Sequence, residues 1–130
     1  MTSQQLGFSR IDPRSYLDLA KILASQPDSA SRRSAIDRAY YAVFLFSRDE
    51  LTSKGYITPY YSTNDHRYVS DNLKLYLARD IGNNEDRLRR ARNSVTYDTR
   101  DIRLELSLQT IIDSAEKIIQ AVSGLRPRSQ

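Results

Sequence analysis

Over residues 30–51, apolar side chains recur at helical spacing. Ile36, Ala39, Tyr40, Val43 and Phe44 form one wide stripe, and Tyr41, Leu45 and Phe46 lie beside it. A helix apolar nearly all round has to be covered on every side, either as the central helix of its own bundle or by another subunit. The reading favoured here is a homodimer, since closed two-fold pairs are the commonest assembly.

The rest of the chain also reads as helix. Asp12 before Pro13 has the form of an N-cap followed by proline at the first helical position, and the stretch to Gln26 places Tyr16, Leu19, Ala20 and Leu23 on one face. Pro27-Asp28-Ser29 ends that helix and opens the next, and residues 52–63 read as a loop with Gly55 and Pro59 as breakers. Asn64 or Asp65 is expected to cap a third helix carrying Val69, Leu73, Tyr76 and Leu77, stopped by Gly82. Asn83 or Asn84 then caps a fourth, with Leu88, Ala91 and Val95 inward. Thr99 caps a fifth, in which Leu104, Leu108, Ile111, Ala115, Ile118 and Val122 form an a/d-like series ending at Gly124. No segment alternates over strand length. The expected fold is all-α, an up-and-down bundle of four long helices plus a shorter one over residues 11–124, with 1–10 and 125–130 as flexible termini.

Composition excludes several chemistries. The chain has no cysteine and one histidine, His66, so disulfides, thiolate metal sites, cysteine nucleophiles and histidine-based zinc or triad sites are not expected. Its four glycines, Gly7, Gly55, Gly82 and Gly124, are too scattered for a phosphate loop. No metal or cofactor is therefore expected. No apolar run approaches the roughly 20 residues of a membrane helix. Residues 1–10 are polar and lack the apolar core of a secretion signal, so a cytoplasmic location is expected. Net charge is +4, and only four of the twenty basic residues are lysine, at 21, 54, 74 and 117. Arginine forks onto phosphates and stacks on flat rings in ways lysine does not, which points to nucleic acid or nucleotide partners.

Three groups of residues stand out. Arg92 follows Leu88 by four positions and precedes Val95 by three, so it shares its helix's apolar face. An arginine there pairs with a carboxylate such as Asp37, snorkels to the bundle edge, or is held by its helix to grip a phosphate, with Asn93 and Tyr97 as polar neighbours. Arg87, Arg89, Arg90, Arg92, Arg100 and Arg103 stand among Glu85, Asp86, Asp98 and Asp101, as a salt-bridged solvated face or as the basic edge of an RNA groove. Tyr56, Tyr60 and Tyr61 sit in the loop, where tyrosines either stack on bases or pin the loop to the bundle or to a second subunit. His66 is the one side chain whose ordinary pKa is near neutrality.

Arg33-Ser34-Ala35-Ile36-Asp37-Arg38-Ala39-Tyr40-Tyr41-Ala42-Val43-Phe44 is similar to the second-helix signature of HEPN domains. Leu88-Arg89-Arg90-Ala91-Arg92-Asn93-Ser94-Val95-Thr96-Tyr97-Asp98 resembles their fourth-helix segment, and Gly55 and His66 fall where the subfamily tends to carry these residue types. The resemblance implies a bundle that dimerises, with both copies of the fourth-helix motif meeting at a cleft. It further implies metal-independent RNA cleavage, a toxin or effector role in a toxin–antitoxin or antiviral defence pair, or nucleotide binding beside a small nucleotidyltransferase antitoxin. Carried onto this chain, the site is Arg92, Asn93, Tyr97 and Asp98, and the RNA- or nucleotide-binding residues are Arg38, Tyr41, His66, Arg89 and Arg90.

One departure matters. Where active members carry a histidine, this chain has Tyr97 followed by Asp98. Cleavage needs the 2′-hydroxyl deprotonated and the leaving oxygen protonated. A histidine near pKa 6.5 does either, whereas tyrosine near 10 is a poor base at pH 7 and aspartate near 3.9 a poor acid. Cleavage is expected to be weak or absent unless His66 or an upshifted Asp98 substitutes. The Arg-Asn-x-x-x-Tyr-Asp form resembles a subgroup found beside nucleotidyltransferases, which makes Tyr97 a candidate nucleotide acceptor.

Overall fold

In the computed structural model the described residues are 11–100 and 106–129. They form an all-α bundle of five helices: α1 Arg14–Ala24, α2 Ser29–Ser53, α3 Asn64–Tyr76, α4 Arg79–Tyr97 and α5 Leu108–Ser123. No strand occurs among the described residues. None of the described helices is long and apolar enough to cross a membrane.

α2 packs against each of the other four helices. Ile36, Ala39, Tyr40, Ala42, Val43, Phe44 and Phe46 are all buried around its circumference. A central position thus covers most of its apolar surface, while Tyr41 and Leu45 are half-buried. Asp28 caps it, its carboxylate accepting from the Ser31 N–H at 2.9 Å. Gly55 turns the chain out of α2 at φ +86°, a conformation that favours glycine.

The a/d series of α5 faces inward: Ile111, Ala115, Ile118 and Val122 are fully buried. The cap of α5 is Ser107, whose hydroxyl accepts from the Thr110 N–H, and Thr99 lies outside any helix. Leu104 and Arg103 lie outside the described residues. On α1 the inward face is rotated from the expected one. Leu17 and Ala20 are buried, Tyr16 is half-buried and Leu19 is exposed.

The α3–α4 boundary also differs. The chain leaves α3 at Leu77 and passes through an extended Ala78, so Gly82 lies inside α4. A Cβ on Gly82 would stand 2.3 Å from Lys74 Cγ and 2.8 Å from the Ser70 carbonyl oxygen. This glycine is a point of close approach between α3 and α4, not a helix stop. Asp65 does not cap α3 either; buried, it accepts from the N–H groups of Tyr60 and Tyr61 at 2.9 and 2.8 Å and so ties down the loop. Beyond Gly124, where a flexible tail is expected, Leu125 is buried, Tyr56 donates its hydroxyl to the Arg126 carbonyl, and the Arg128 N–H donates to the Lys54 carbonyl. Residues 1–10, the other expected flexible terminus, lie outside the described residues.

Candidate functional site

α2 and α4 run antiparallel: Arg33 meets Val95, while Asp37 and Tyr41 both meet Arg92. Between them and α1 opens a cleft of about 710 Å³, lined by Tyr16, Arg33, Asp37, Arg38, Tyr41 and Arg92 among others. Helical spacing explains the set, because positions 34, 37, 38, 41 and 45 of α2 fall on one face.

Arg92 is the best-fixed member. Its Nε donates to Asp37 Oδ1 at 2.9 Å, one Nη to Asn93 Oδ1 at 3.1 Å and the other to the Tyr41 hydroxyl at 3.1 Å. A guanidinium has five N–H donors, so two remain without a partner among the described residues. Burial works against its charge, but Asp37, together with Tyr41 and Tyr97, outweighs this and raises its pKa above the ordinary value. The side chain keeps 17% of its surface exposed. The carboxylate partner anticipated from the sequence is therefore present, and Arg92 still lines the cleft. Asp37 also pairs with Arg38 at 3.5 Å, and the Arg38 guanidinium lies 5.5 Å from the Tyr16 ring centroid.

Tyr97 ends α4 with its ring 5.8 Å from the Arg92 guanidinium carbon and is 76% exposed. Asp98 turns to Arg100, which donates through Nε at 2.9 Å and Nη at 2.7 Å. That hydrogen bonding holds Asp98 below the ordinary carboxylate range, so the upshifted acid entertained above is not found.

His66 stands across Tyr41 from this cluster. Its ring stacks on Phe44 at 4.2 Å, and its Nδ1 pairs with the Tyr40 hydroxyl at 2.5 Å. Burial, helped by Arg89 and Arg92, pushes its pKa below the ordinary value. Arg89 is half-buried beside His66 and Tyr40, whereas Arg90 is exposed and lines no part of the cleft. The structure thus brings Arg38, Tyr41, Arg92, Asn93 and Tyr97 together, and sets His66 and Arg89 one side chain further along.

Two residues were missed. Arg33 donates to the carbonyls of Val95, Asp98 and Arg100, clasping the C-terminal end of α4. No local pattern announces it, because its partners are 62 to 67 positions away. Glu85 is fully buried in α4, with neither carboxylate oxygen hydrogen-bonded. Its position was a signal, since it precedes Leu88 by three and Arg92 by seven and so shares their inward face.

Fold and cleft define an all-α bundle with an arginine-lined groove between its second and fourth helices. Comparison of the chain with family models, with curated proteins and with solved structures returns no match.

Proposed function

We propose that the chain is an RNA-binding protein of the HEPN type, a homodimer serving as toxin or effector in a toxin–antitoxin or defence pair, with metal-independent RNA cleavage weak or absent. The observation that carries this reading is Arg92: a charged guanidinium oriented by Asp37, Tyr41 and Asn93, with two N–H donors unpartnered among the described residues, in a cleft that also presents Arg38. Such a fork suits a phosphodiester, and Arg38 on Tyr16 adds charge and a flat face for a base. The dimer rests on the apolar character of α2 and on the family resemblance, and the biological role on the resemblance alone.

Arg92 would stabilise charge on a pentacovalent phosphorus. The proton transfers lack a suited pair: Asp98 is locked to Arg100, and His66 lies beyond Tyr41. Acid–base help is typically worth about 10²–10⁴-fold, so its loss leaves slow cleavage at best. The test is incubation of purified protein with single-stranded RNA in EDTA. Binding with little or no cleavage is expected, any cleavage disappearing in Arg92→Ala. Failure to bind RNA contradicts the proposal.

A second reading is favoured by the exposure of Tyr97: a non-catalytic nucleotide-binding or docking module for a small nucleotidyltransferase. The Tyr97 phenol oxygen would attack the α-phosphorus of ATP, pyrophosphate would leave, and the phenolic proton would pass to water. Intact mass after incubation with such an enzyme and ATP would rise by one nucleotidyl group, and Tyr97→Phe would abolish the rise. An unchanged mass removes the acceptor role of Tyr97, and failure of the two proteins to co-purify removes the docking.

A further inference from the structure

The cleft at Arg92 does not stop at Tyr41. Tyr41 and Leu45 also line a second cleft, of about 490 Å³, completed by Phe44, Arg48, Tyr61 and His66 among others. The two clefts adjoin at Tyr41 and Leu45, which line both.

The second cleft shows construction that folding alone does not require. Tyr61 is held at φ +55°, in the left-handed region that a bulky residue seldom enters. Buried Asp65 commits both oxygens to the N–H groups of Tyr60 and Tyr61, fixing that conformation. Tyr61 is nonetheless 75% exposed, so the strain gains little apolar burial. The Arg48 guanidinium lies 5.1 Å from the Tyr61 ring centroid and 6.0 Å from that of Phe44. His66 lines the same space, its Nδ1 engaged by the Tyr40 hydroxyl. The ring nitrogen left for a ligand is Nε2.

We propose that this second cleft is a base-stacking subsite for single-stranded RNA, taking on Tyr61 the nucleotide adjacent to the one whose phosphate Arg92 holds. Arg48 meets the intervening backbone charge, and His66 Nε2 hydrogen-bonds to a base edge. Stacking is sequence-tolerant, so the subsite adds affinity and sets a minimum strand length without selecting a base. The inference rests on the RNA-binding reading of the Arg92 cleft.

The test is equilibrium binding of labelled uridine mononucleotide, dinucleotide and tetranucleotide. Affinity is expected to climb with length. Tyr61→Ala should remove roughly tenfold of that climb and leave the mononucleotide unaffected, while Tyr61→Phe should restore it. If Tyr61→Ala and His66→Gln bind the tetranucleotide like the parent while Arg92→Gln weakens it, the subsite is overturned and the Arg92 reading stands. Equal weakening of every length by Tyr61→Ala also overturns it, since the loop then acts through the fold. If no length binds the parent protein, both readings fall.

Discussion

Arg92 and Asp37 meet across the α2–α4 interface at 2.9 Å, with 17% and 20% of their side-chain surfaces still exposed. The pair is sheltered enough to fix the guanidinium and open enough to leave it within reach of a ligand. Such a pair joins the two helices and still leaves part of the guanidinium exposed in the cleft.

That intermediate burial sets the stability effect. Splitting a buried pair costs about 3–5 kcal/mol, and exposed pairs contribute about 0–1. Arg92→Ala is expected to fall between them, at about 1–2 kcal/mol, because Asp37 keeps Arg38 as a partner. Urea unfolding checks this; a loss above about 4 kcal/mol would assign Arg92 to holding the fold alone.

Glu85 predicts a pH dependence. Burial, with Asp86 adjacent, raises its pKa from 4.5 to about 8, against the smaller opposing pull of Arg89 and Lys74. The folded state therefore keeps a proton that the unfolded state releases. This contribution is full below about pH 4.5 and is lost as pH rises through about 8. Glu85→Gln, which carries no charge at any pH, should flatten the decline and be the more stable protein at pH 9. Urea midpoints measured from pH 5 to 9 decide it, and parallel profiles for the two proteins would contradict it.

Gly82→Ala should destabilise, although alanine is the better helix former by about 1 kcal/mol. The new methyl meets Lys74 Cγ and the Ser70 carbonyl, so α3 and α4 must separate. A net loss of about 1–3 kcal/mol is expected from thermal or urea unfolding. A gain in stability would show that the two helices are not so closely opposed.

Arg33→Ala should release the end of α4. Three carbonyls lose a charged donor, at an expected cost of about 1–2 kcal/mol. Amide hydrogen exchange should quicken across the last turn of α4 more than in the middle of α2. Uniform protection in the variant would contradict the clasp.

Much of this was legible in the sequence, and the exceptions have physical reasons. The stripe of α2 and the series Ile111–Ala115–Ile118–Val122 announced a bundle, because burial and helical period agree there. Gly82 misled, because a glycine that admits a neighbouring backbone has the same letter as one that ends a helix; the true break, at Leu77 and Ala78, has no breaker. Asp65 read as a cap and acts as a loop tie, since a carboxylate at a helix start serves whichever N–H groups the preceding loop presents. Arg92 could be placed on its inward face from spacing, with Asp37 as one candidate partner among the readings left open. The Arg33 clasp could not, because only the folded chain brings α2 to the end of α4.

The central claim is that Arg92 holds an RNA phosphate. Its most direct test is the salt dependence of single-stranded RNA binding by the parent protein and by Arg92→Gln, with folding of the variant checked by circular dichroism. The variant is expected to bind at least roughly tenfold more weakly, its slope of log affinity against log salt reduced by about 0.7, the value of one single-strand phosphate contact. A folded variant with the parent's affinity and slope would contradict the claim.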